Sequence, residues 1–155
     1  MSAFLNKLKV TLALVACSAS FTAAAQEKLT VGVDTAFVPF EFKQGDKYVG
    51  FDIDLWDAIA KKMHISYELH PMDFGGLIPG LQSRNLDVAM AGITITDARK
   101  QVVDFSEGYY DADLLMAVES TDNSITKFSD LSGKKMGLKQ GTAAASFMKS
   151  KYKAN

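Results

Sequence analysis

Cysteine is almost missing from this 155-residue chain. Cys17 stands alone, so no disulfide can form within the chain. Histidine is nearly as scarce: His64 and His70 lie on different elements with no cysteine to join them, which is poor metal-ligand spacing. Neither a phosphate-cradling P-loop nor a G-x-S-x-G nucleophile elbow occurs. No catalytic residues, metal or cofactor are therefore expected. Basic runs and patches are lacking too, which argues against nucleic acid and anionic membrane surfaces as partners. There is no internal repeat and no low-complexity segment.

What is present is ordinary for a soluble globular protein, 48% hydrophobic and 23% charged. The length suits one domain, or one lobe and part of another. Lys7 and Lys9 precede the apolar run Val10 to Ala16, and Ala23-Ala24-Ala25 offers a small-residue cleavage site before Gln26. Residues 1–25 read as a secretory signal, too short to span a membrane. Leu14-Val15-Ala16-Cys17 also fits lipoprotein processing with lipidation of Cys17; cleavage after Ala25 is favoured because few residues separate Cys17 from the first strand. Export without disulfides fits a bacterial periplasm. Loss of Lys7 and Lys9 leaves 15 basic residues against 18 acidic, a net charge of −3.

Leu29 to Val33 reads as a first strand with Asp34 at its carboxyl end, and Phe40–Lys43 with Tyr48-Val49 as a hairpin. In GFDIDLWDAIAKKM, Asp52 is expected to cap a helix whose apolar face carries Leu55, Trp56, Ile59, Ala60 and Met63. Ile65 to Leu69 predicts a second strand ending at the break 70–73, Leu77 to Leu81 a helical patch, and Asp87 to Ala91 a third strand. Alternation of strand and helix predicts a parallel sheet, which binds ligands beyond the carboxyl ends of its strands. Asp34, Phe74 and residues 92–94 lie just there. Further on, Leu114 to Val118 is an extended apolar run, 128–131 a turn of helix, Lys135 to Leu138 a fresh strand, and Gly141-Thr142 opens a helix from Ala143 to Tyr152.

Residues 92–100, GITITDARK, carry the most chemistry. Ala91 to Ile95 reads as the end of a buried strand, after which Thr96 or Asp97 can cap a short helix. Arg99 then supplies a planar fork that matches a carboxylate bidentately. Taken singly, each candidate has an ordinary structural role as well. Phe37 in FVPFEF suits a core, Asp34 can close a turn, and an exposed Lys139 needs no explanation.

The long segments VDTAFVPFEFKQGDKYVGFDIDLWDAIAKK, YELHPMDFGGLIPGLQSRNLDVAMAGITITDARK and VDFSEGYY resemble the bacterial periplasmic solute-binding proteins for polar amino acids, family 3, with the glutamine binders of ABC importers nearest. The resemblance implies an α/β, periplasmic-binding-protein-like fold of two lobes: lobe 1 over 26–112, a crossover at 113–119, and the start of lobe 2 at 120–155, truncated. It implies that Arg99 takes the ligand α-carboxylate, with the Thr94 N–H beside it. The Thr94 hydroxyl and Gly92 carbonyl would meet the α-ammonium, and Phe37 and Phe74 would sandwich the aliphatic part. Asp34 and Lys139 would meet the two ends of a side-chain amide, and Thr142 and Ala143 would line the site from lobe 2. Ala143 stands where such binders carry glycine, which puts its carboxylate contact in doubt. The implied partners are L-glutamine and the membrane permease, with the binding protein a monomer. The alternatives are an enzyme on the same fold, similar to cyclohexadienyl dehydratase, and a fragment that binds nothing.

Overall fold

A computed structural model describes residues 28–152; the expected signal segment, Cys17 and the Ala25 cleavage site lie outside the described residues. The centre is strand β1 (Leu29–Asp34), flanked in parallel by β5 (Tyr67–Met72) and β6 (Val88–Ala89) in the order β5-β1-β6. Strand alternation sorts its side chains to two faces. Val31 and Val33 pack with Ile53, Trp56 and Ala60 of helix α1 (Phe51–Met63) and with Met90. Gly32 faces the other way: a Cβ there would lie 2.4 Å from Leu86 Cδ1 and 2.9 Å from Leu77 Cδ2, where helix α2 (Leu77–Gln82) closes over the strand. The sheet is therefore covered on both sides, as a parallel sheet requires.

A second, antiparallel sheet is formed by β2 (Ala36–Phe37), β3 (Glu41–Gln44) and β4 (Lys47–Val49) in the order β2-β3-β4. It runs directly into α1 through Gly50. There the backbone sits at φ 130°, ψ 177°, and a Cβ would approach the Phe40 carbonyl oxygen to 2.3 Å. That close approach lets the Phe51 and Asp52 N–H groups donate to the Pro39 and Phe40 carbonyls at 3.0 and 2.9 Å. The first orphan donors of the helix are thus met by backbone. Asp52 makes no capping bond, which corrects the expected role: its side chain points into the protein instead. Met63, expected on the core face, is 61% exposed at the helix end.

Other boundaries shift for reasons of pairing. β5 continues through His70 and Pro71 to Met72, because it lies at the sheet edge and needs bonds on one side only. β6 shrinks to two residues, so the chain has left the sheet before residues 91–95, and Ile95 is 37% exposed. The short helix α3 (Asp97–Lys100) follows, capped by the Thr96 hydroxyl accepting from the Arg99 N–H at 3.3 Å. Residues 114–118 and 135–138 form no strand, and Leu115 is 93% exposed. The expected short helix at Phe128–Leu131 is present as a 3-10 turn, and helix α4 (Ala143–Tyr152) forms as expected. Among the described residues, no helix is long and apolar enough to cross a membrane.

Gly50→Ala combines a glycine-only backbone conformation with a backbone clash. It should destabilise the fold by about 3 kcal/mol, read as a lower urea midpoint at unchanged slope.

Candidate functional site

The carboxyl ends of β1, β5 and β6 face residues 139–143 at the start of α4. Asp34 ends β1 and is buried, its Oδ1 accepting from the Thr35 N–H at 2.8 Å. Its Oδ2 pairs with the Lys139 ammonium, 105 residues further along the chain. Phe74, just beyond β5, is buried and lies under two cations: the Arg99 guanidinium carbon is 5.7 Å from the ring centroid and the Lys139 ammonium 6.0 Å. Both distances fall within cation–π range.

Arg99 spreads its fork between two segments, donating from Nη1 to the Thr94 carbonyl at 2.6 Å and from Nη2 to the Gly141 carbonyl at 2.9 Å. Both partners are neutral. Among the described residues Arg99 forms no ion pair, and desolvation lowers its pKa from the ordinary value. Gly141 has φ +80°, and a Cβ would come within 2.7 Å of Gly75 Cα. The segment carrying Lys139 and the turn carrying Phe74 therefore meet backbone to backbone. Thr142 secures the start of α4: its hydroxyl donates to the Lys139 carbonyl at 2.8 Å and accepts from the Ala145 N–H at 3.1 Å. Ala143 is the first residue of that helix.

On the other side, Gly92 adopts φ +52°, and a Cβ would lie 2.7 Å from Phe37 Cε1. Phe37 is 39% exposed, which removes it from the core, and it stacks on Phe40 at 4.9 Å. Among the described residues no ring contact joins Phe37 to Phe74, and the Thr94 side chain is exposed. Direct contacts therefore join Asp34, Phe74, Thr94, Arg99 and Lys139. Phe37 and Gly92 form a second pair, and Thr142 and Ala143 follow Gly141 in the chain.

The Gly92 turn is also held from behind. Its N–H donates to Asp52 Oδ2 at 2.8 Å and, in a bifurcated bond, to the Tyr109 hydroxyl at 3.2 Å; that hydroxyl donates to the same Asp52 oxygen at 3.0 Å. Burial, then the Asp52 charge, raise the Tyr109 pKa above its ordinary value. Tyr110 packs edge-on against Phe40 at 4.8 Å, and Tyr109 stacks on Phe51 at 6.3 Å.

Residues 29–153 match the family model described as bacterial extracellular solute-binding proteins, family 3. The chain belongs to this family. Its periplasmic-binding-protein-like α/β fold is shared with a solved ancestral arginine-binding protein bound to arginine, at a TM-score of 0.76 and 47% identity over 79% of this chain and 55% of that one. An ancestral arginine-binding protein bound to glutamine matches at a TM-score of 0.75 and 44% identity, covering 83% and 59%. The arginine-binding extracellular protein ArtP of Bacillus subtilis is 41% identical over 86% of this chain and 52% of its own length. A probable histidine-binding protein of Campylobacter jejuni is 41% identical over 83% and 53%. The chain spans about half the length of these curated relatives.

Sequence reasoning missed the support behind the Gly92 turn. Asp52 was assigned to a cap, and Glu41 and Tyr109 were given no role. A signal existed for one of them: in Phe40-Glu41-Phe42 the alternation puts Glu41 opposite its aromatic neighbours, and nothing local says which face is inside.

Gly141→Ala should push the segment around Lys139 away from Gly75 and release the Asp34–Lys139 pair. Amide exchange over 139–145 is expected to speed up about tenfold, the effect of losing roughly 1.4 kcal/mol of local protection.

Proposed function

We propose that this chain carries the ligand-contacting part of an amino-acid-binding protein that serves an ABC permease in a bacterial periplasm, and that it captures an amino acid without converting it. Residues 1–25 are then the export signal, 26–112 the first lobe, 113–119 the crossover and 120–155 the beginning of the second. The observation that carries the reading is the unequal state of the two cations over Phe74. Arg99 rests on neutral carbonyls and keeps its full charge for an incoming α-carboxylate. Lys139 is already balanced by Asp34.

That balance bears on the ligand's side chain. A cationic side chain directed at Asp34 would meet Lys139 as well, a like charge. A side-chain amide suits the pair better: its N–H₂ can donate to Asp34 and its oxygen can accept from Lys139. L-Glutamine is therefore the preferred ligand, with the ammonium taken by the Gly92 carbonyl and Thr94 hydroxyl, and the methylenes between Phe37 and Phe74. The named ligands of the relatives, arginine and histidine, support an amino acid in general, and the relative bound to glutamine supports an amide.

Arg99→Ala in the full-length protein should weaken L-glutamine binding at least about 100-fold by isothermal titration, a buried charge-assisted contact being worth about 3 kcal/mol. Wild-type affinity in that variant would remove the carboxylate role. Lys139→Leu leaves Asp34 buried and unpaired, so the ratio of arginine to glutamine affinity should rise about tenfold or more. An unchanged ratio would remove Lys139 from selectivity.

A further inference from the structure

One fully buried acid takes no part in these contacts. Glu41 in β3 has no solvent exposure, and neither of its carboxyl oxygens has a partner among the described residues. Beside it, Asp52 is equally buried; its Oδ2 holds Gly92 and Tyr109, while its Oδ1 has no partner. Two ionised carboxylates only accept and cannot satisfy one another. A single proton makes one of them a donor.

The surroundings say where that proton resides. Burial pushes the Glu41 pKa up from 4.5 to about 9, helped by the nearby Asp52 and Asp34 charges, against a pull from Lys139. The groups facing it are thus Asp52 on α1, Asp34 on β1, Lys139 before α4, and Tyr109. At neutral pH Glu41 holds the proton. The turn this serves is confined on both sides: Gly92, at φ +52°, is gripped by Asp52 below and covered by Phe37 above.

We propose that Glu41 is a positioning residue for the ligand site: its proton fixes the Asp52 carboxylate, Asp52 fixes the Gly92 peptide, and Gly92 presents its carbonyl to the ligand ammonium. This role rests on the amino-acid-binding reading above. Glu41 itself touches no ligand. Losing its proton sets a second negative charge against Asp52 with no donor between them, and the Gly92 turn loosens.

The test is L-glutamine titration calorimetry from pH 6 to 10 on full-length wild type and Glu41→Gln. The amide keeps a donor at every pH. The ligand's own ammonium titrates alike in both experiments, so the ratio of the two Kd values reports the charge at position 41. The ratio should stay near one at pH 7, and by pH 10 the wild type should bind about tenfold more weakly than the variant. Superimposable profiles overturn the proposal. Should the variant fail to fold, the wild type alone decides: a common step above pH 8 in the Glu41 carboxyl carbon and Gly92 amide nitrogen resonances supports the coupling, and a flat Gly92 signal overturns it. A folded wild type that binds no amino acid at pH 7 overturns the proposed function and the ligand role of the pair together. The resonance titration then separates a wrong ligand from a wrong Glu41–Asp52 pair.

Discussion

The buried carboxylate of Asp52 ties three distant parts of the chain at one oxygen. It lies in the first turn of α1, accepts from the Gly92 N–H that follows β6, and accepts from the hydroxyl of Tyr109. An anion without solvent is stable only where donors surround it, so the segments supplying those donors have little freedom to move independently. The aromatic rings of Phe40, Phe51, Tyr109 and Tyr110 pack against one another beside the same place. The geometry of the Gly92 turn therefore depends on a helix whose other face is the core under β1.

Glu41 raises the stakes of that arrangement. Its carboxyl is held about 9 in the fold and is ordinary, near 4.5, when the chain is unfolded. Between those values the folded chain retains a proton that the unfolded chain has released. The contribution of this group to stability is thus fully present below pH 4.5 and falls as pH rises toward 9. A buried group whose stabilising contribution falls across neutral pH fits the proposed role of shaping the site better than a role in stabilising the core.

Much of the candidate site was legible in the sequence because it follows from strand ends. Asp34 after LTVGV, Phe74 after the second strand and Gly92 after the third could be brought together from the rule that parallel sheets bind beyond their carboxyl edges, and contacts do join Asp34 and Phe74 through Lys139. The helix at 51–63 was legible from its 3.6-residue period. What escaped depended on partners elsewhere in the chain. A strand exists only if another strand takes its bonds, so the apolar run at 135–138 looked like a strand and is not one. Asp52 had the residue type of a cap, yet the helix starts a residue earlier, at Phe51 after Gly50, so Asp52 falls inside the first turn and its side chain faces the interior. Inward orientation of Glu41 was hidden for the same reason, since a hairpin's polar and apolar faces can be exchanged by whatever packs on it.

The two cations over Phe74 share one ring without sharing a counter-ion. Phe74 gives both a favourable surface without neutralising either, because a quadrupole screens nothing. Neutralisation is left to the anions, and only one is provided: Asp34, beside Lys139. Arg99 meanwhile spends its donors on the carbonyls of Thr94 and Gly141, residues on either side of the putting-together of the site, 94 in the loop after β6 and 141 before α4. A carboxylate that replaces those carbonyls exchanges neutral bonds for charge-assisted ones, roughly twice as strong, and frees both segments at once. In the proposed function, ligand capture and the relative placement of 92–99 and 139–143 become one equilibrium, set by the guanidinium that both segments already share.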